Sequence, residues 1–284
     1  MARVAKPSRP AAEFATGIGR AFAGALLFAV PLHMTMEMWE LGASMNRARL
    51  VVLIVITLPV LFGLSIHTGF ERTDSRIQDV LDALAAFGIG LVSSAIVLAL
   101  LGVLDSGLTF SGLVAVVAIA AVPASIGAVV ANKQLRGQDD EGEGKEEDDE
   151  DASRDSYGKE LFLMAAGALF ISIAVAPTEE MVLIAARIDP WHAVALVMTS
   201  VAVLHGLVYA FGFAGQEQRP DYAGFGLTFF HFSIAGYGIA LAVACLQLWV
   251  FEHIDGTSLV AAAKMAAVVG FPASLGAGVA RLIV

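Results

Sequence analysis

The chain has 284 residues, of which 57% are hydrophobic and only 15% charged, with a formal net charge of −10. Soluble domains run nearer one half apolar and one quarter charged, so an ordinary water-soluble globule is excluded and a membrane protein is expected. The negative balance identifies no partner and nucleic acid is not expected as one, because residues 139–151, DDEGEGKEEDDED, hold ten acids and one lysine, and without them 17 acids face 16 bases.

Eight apolar runs lie at about 21–43, 50–69, 80–103, 110–132, 160–185, 190–213, 224–252 and 258–282. Each is long enough for a bilayer core that needs roughly 20 residues per helix. Continuous apolar runs select helices over barrel strands. The expected fold is therefore an all-α polytopic membrane protein with eight transmembrane helices. The N-terminal stretch MARVAKPSRP is basic but shows no small-residue cleavage site, so residues 1–19 read as a cytoplasmic tail and the first run as a retained helix. With the N-terminus cytoplasmic, 13 Lys and Arg fall on that side, three (Arg47, Arg49, Arg187) on the other, and Lys264 inside a span. That bias places both termini in the cytoplasm and the protein, multi-pass, in a bacterial inner (plasma) membrane.

The first run carries His33, Glu37 and Glu40 at i, i+4 and i+7, one face of a continuous helix, with Thr35 beside them. His67 ends the second run, and Asp79 and Asp82 open the third, where an N-cap role is expected. Asp105 sits in a short turn, and the fourth run ends in PASIGAVVA at 123–131. Residues 133–158 are too charged to fold and read as a disordered cytoplasmic linker.

Beyond it the fifth run contains AVAPTEEM at 174–181, with Thr178, Glu179 and Glu180. His205, with Tyr209 one turn on, lies in the sixth run, and His231 and the single cysteine, Cys245, in the seventh. Lys264 stands about six residues into the eighth, within reach of a carboxylate or able to snorkel, ahead of PASLGAGVA at 272–280.

The two sides of the linker repeat one another. Ala23-Gly24-Ala25-Leu26 recurs as Ala166-Gly167-Ala168-Leu169, and the same offset of 143 pairs Thr35 with Thr178, Glu37 with Glu180 and Met38 with Met181. Further on the offset is about 150, and the two PAS motifs share seven of nine residues. Residues 20–132 and 159–284 are thus read as two four-helix repeats. An even number of spans makes them parallel, with a pseudo-twofold axis along the membrane normal. Binding sites of repeat-built transporters lie between the repeats.

An ionisable group inside a span costs about 2.5–3.5 kcal/mol on insertion scales and normally marks an ion or proton path. The duplicated Glu37 and Glu180 are the leading candidates for ion ligands, joined by Glu179, Glu40, His33, Thr35 and Thr178, with His205, His231 and Lys264 secondary. Thr-Glu-Glu also starts helices, the threonine as cap and the acids beside the dipole. Pro31 and Pro177 fit either a break or a start.

AVAPTEEMVLIA resembles the signature repeats of the calcium/cation exchanger superfamily, and that resemblance implies an ion-ligating role for Glu180 and, by internal symmetry, Glu37. The whole chain resembles an uncharacterised family of bacterial integral membrane proteins. The expected function is ion transport by a channel or a proton- or cation-coupled carrier, its partners the lipid bilayer and a proton or inorganic cation such as calcium, with room for an oligomer. A haem- or metal-binding redox protein using His33, His205 or His231, and a non-transporting scaffold, are the alternatives. With no phosphate-binding glycine loop or nucleophile elbow in the sequence, no enzyme is expected.

Overall fold

The structure, a computed structural model, describes residues 9–68, 76–105, 107–135, 151–210 and 229–283, and among them every regular element is helical. The helices are α1 (Arg9–His33), α2 (Met36–Ser44), α3 (Arg47–Thr68), α4 (Arg76–Leu100), α5 (Phe110–Leu135), α6 (Asp151–Ser172), α7 (Glu179–Arg187), α8 (Pro190–Ala210), α9 (Ala235–Val250) and α10 (Leu259–Ile283). A 3₁₀ turn at Val103–Asp105 precedes α5, and a π-helical turn at Phe229–Ile234 leads into α9. Helices α5 and α6 reach into both ends of the stretch read as linker; residues 136–150 lie outside the described residues.

Among the described residues six helices are long and apolar enough to cross a membrane, at 47–66, 76–100, 110–130, 190–208, 232–250 and 259–280. They coincide with six of the eight apolar runs. The other two runs are not continuous helices. The first bends by 87° between Gly17–His33 and Met36–Ser44, which together would make a seventh span. The fifth ends as a helix at Ser172 and passes through turns before α7 begins at Glu179.

The short helices occupy the same register. Helix α2 covers 36–44 and α7 covers 179–187, each 143 residues on, and α8 begins at 190 where α3 begins at 47. In each half the last helix is the hub: α5 packs on α1, α2, α3 and α4, and α10 packs on α6, α7, α8 and α9. The hub of the first half is nearly all buried small and β-branched residues, among them Ala120, Ala124 and Ala128.

The repeated small-residue motifs meet at equivalent crossings. A Cβ added at Gly127 of α5 would stand 2.8 Å from the Gly24 carbonyl of α1, and one at Gly276 of α10 would collide with the Gly167 carbonyl of α6. Glycine at these two crossings lets backbones touch where lipid supplies no hydrophobic drive between helices.

Between the halves, Phe28 of α1 meets Phe170 of α6 edge to face at 5.2 Å, and the Phe162 ring of α6 fills the space where a Cβ at Gly63 of α3 would sit. A cleft with about 40 Å³ of room lies there, walled by Leu64, Ile126, Leu163, Phe170, Gly276 and Val279 among others, all apolar or glycine.

Candidate functional site

The duplicated threonine and glutamate lie at the duplicated break. In the first half the helical ladder runs past Pro31 to Met34, whose N–H donates to the Val30 carbonyl at 3.2 Å, and only then tightens, Thr35 N–H donating to the Leu32 carbonyl at 3.1 Å. Thr35 then adopts φ −90°, ψ 129°, extended backbone that ends the helix and redirects the chain.

In the second half Pro177 has no N–H and disfavours helical backbone at Ala176. The chain unwinds through turns, and Thr178 takes φ −82°, ψ 144°. The two torsion pairs are nearly the same.

Both threonines occupy N-cap positions, yet neither side chain caps its helix. Each hydroxyl instead donates backwards three residues, Thr35 Oγ1 to the Leu32 carbonyl at 2.8 Å and Thr178 Oγ1 to the Val175 carbonyl at 2.9 Å. The threonines therefore fasten the end of the preceding helix. Trp39 adds to this in the first half, its Nε1 donating to the His33 carbonyl at 2.6 Å.

His33 and the glutamates do not share a face. The 87° bend leaves His33 as the last residue of α1, buried, with Glu37 half-buried and Glu40 exposed on α2. The i, i+4, i+7 stripe assumes one continuous helix, and the helix ends inside it. His33 is held at both ring nitrogens, Nδ1 against the Ala29 carbonyl at 2.5 Å and Nε2 against Ser94 Oγ of α4 at 2.8 Å. A carbonyl only accepts, so Nδ1 carries hydrogen, and in the neutral ring Nε2 accepts from the Ser94 hydroxyl. Ser94 lies six residues before the end of α4, which sets this contact about 9 Å below that end at 1.5 Å per residue.

In the second half Glu179 and Glu180 open α7 and are exposed on the protein surface. The residue at the His33 position is Ala176, and the buried polar support comes from α9 instead: Gln247, fully buried, donates from Nε2 to the Leu169 carbonyl at 3.1 Å, one turn before the break. Each break is thus steadied by a polar group of the third long helix of its half, Ser94 in one and Gln247 in the other. Both helpers were overlooked in the sequence, although a glutamine amid ALAVACLQLWV was a visible signal.

The secondary candidates disperse. His205 of α8 contacts Ser233 of the π turn through Nδ1 at 2.8 Å and packs edge to face on Phe229 at 5.2 Å. The side chains of His231, His67, Tyr209 and Asp105 lie outside the described residues. Lys264 is half-buried in α10, and the two ion pairs found among the described residues, Arg49–Asp255 and His192–Asp189, do not include it.

What the site can hold follows from its donors. Glu37 and Glu180 lie in the first turns of short helices. Part of the carbonyls at the breaks is engaged: Leu32, His33, Ser172 and Val175 accept from Thr35, Trp39, Thr178 and the turn amides. Calcium takes about six to eight oxygens, and no group of three His, Cys, Asp or Glu side chains with metal-holding geometry occurs among the described residues.

Residues 17–284 match the family described as "Putative integral membrane protein (DUF2391)". No curated protein and no solved structure matches the chain.

Proposed function

The chain belongs to this DUF2391 family of integral membrane proteins, and from that premise we propose that it moves a proton or small inorganic cation across the bilayer, with Glu37 and Glu180 as paired acids at the mouth of the path. One observation carries the reading: the same acid follows the same threonine in both halves, at the first turn of a short helix that begins after a break in an apolar run. Half-helices with polar ends in the membrane are how ion sites are built where backbone must be irregular. A carboxylate that gives up a proton as it takes a cation links the two movements.

The layout proposed with it is two parallel repeats related about an axis along the membrane normal, each crossing four times, with both termini cytoplasmic and the protein in the bacterial inner membrane. The excess of Lys and Arg on one side supports that orientation.

Purified protein in liposomes tests the role. Glu37→Gln and Glu180→Gln together are expected to abolish proton or monovalent-cation flux, and each alone to reduce it. Undiminished flux through the double variant removes these acids from the mechanism.

A scaffold without transport is the second reading, favoured by the exposure of Glu180 and by the apolar lining of the cleft between the halves. The haem reading loses support at His33, since Ala29 and Ser94 engage both ring nitrogens. A visible absorption spectrum of the purified protein decides it.

A further inference from the structure

We infer that the turn between α9 and α10 is a releasable clasp that holds the second half against the first at one face of the molecule, with Arg49 as its pin. Arg49 belongs to the first turn of α3. Its Nη2 meets Asp255 Oδ2 at 2.5 Å, its Nη1 donates to the Trp249 carbonyl at 2.5 Å, and its guanidinium lies 5.0 Å above the Trp249 ring. Beside it the Asn46 N–H donates to Glu252 Oε1 at 2.8 Å. Thus α3 is gripped from the other half by a carboxylate, a carbonyl, an aromatic face and a second carboxylate.

The corresponding turn of the first half differs at one backbone position. Glu252 has φ 66°, and Gly102, 150 residues earlier in the corresponding turn, has φ 73°. Glycine takes this left-handed conformation without strain, whereas a side chain resists it. The second half keeps a glutamate there, and its carboxylate reaches the α3 N-terminus. At the position of Arg49 the second half has His192, whose ion pair is with Asp189 of its own segment at 3.9 Å. Among the described residues the grip is found on one edge.

It is also built to open. Asp255 is 47% exposed, and a partly exposed ion pair is weak by itself and weakened further by salt. At the other end of α3, the contact between halves is the apolar seam of Phe162 against Gly63 and Leu64, which salt does not loosen. Loss of the clasp frees one face while the seam holds the other, a hinge-like separation. This inference does not depend on what, if anything, the protein transports.

The test is the distance across the clasp in the full chain reconstituted in liposomes. Cys245→Ser removes the only cysteine, and spin labels at Ala48→Cys and Val260→Cys, both exposed, report the gap. A single short distance is expected at low salt. Arg49→Gln is expected to add a longer population, and raising the salt is expected to add it reversibly in the chain that keeps Arg49. Should Arg49→Gln fail to fold, Asp255→Asn, which alters only the exposed partner, decides by the same measurement. One unchanged distance in the substituted chain and at both salt levels overturns the clasp.

Discussion

Ser94 is one hydroxyl in a long apolar helix, yet it completes the hydrogen bonding of a buried imidazole. Ser94→Ala leaves His33 Nε2 without that partner away from water, which should destabilise the fold by about 1–3 kcal/mol. Thermal unfolding in detergent checks it, and an unchanged midpoint would show that water already reaches the ring. At this scale the sequence singled out positions whose surroundings it misjudged. Glu37 and Glu180 were picked out because they repeat, and repetition survives any fold. Their exposure was not readable, because it depends on a bend that neither acid causes. Arg49 counted in the sequence only towards the charge bias; its meeting with Asp255, and that of Asn46 with Glu252, join positions 206 residues apart, which no local pattern encodes.

Single helices were more legible. Six apolar runs became helices close to their expected bounds, since length and hydropathy suffice to fix a helix that crosses lipid. The first and fifth runs failed for a physical reason. Hydropathy is blind to torsion, and Thr35 and Thr178 change direction within sequences that stay apolar on both sides. The prolines were the available hint. Packing of α4 offers a check two residues wide. A Cβ at Gly90 would stand 2.8 Å from the Ala121 carbonyl and 2.9 Å from the Ser125 amide nitrogen of α5, whereas one at Gly88 meets nothing within 4 Å. Gly90→Ala should therefore cost about 1–3 kcal/mol by overpacking. Gly88→Ala should instead be neutral or stabilise by up to about 1 kcal/mol through helix propensity. Equal effects in an unfolding titration would contradict the close α4–α5 approach.

For the molecule as a whole, the duplication read from sequence has a counterpart in matched helix bounds and in hubs that pack alike. The sense of insertion is a separate matter, because coordinates without a bilayer have no inside. Parallel repeats with an even number of crossings require the N-terminus, the acidic stretch at 139–151 and the C-terminus to lie on one side. Tags at the three positions are expected to react together with a membrane-impermeant reagent from the cytoplasmic side, and a tag reacting from the opposite side would refute parallel insertion. Which surfaces the two halves share was not readable either. It is set by how Phe162 and Phe28 interlock across the boundary, and pairwise fit of this kind leaves no trace in composition.

The aliphatic walls of the cleft between the halves bear on electrical behaviour. A hydrated ion entering that passage would have to shed its water with no oxygen to replace it, and constrictions of this kind empty of water and insulate. In the conformation described here the cleft between the halves offers a hydrated ion no replacement for its water.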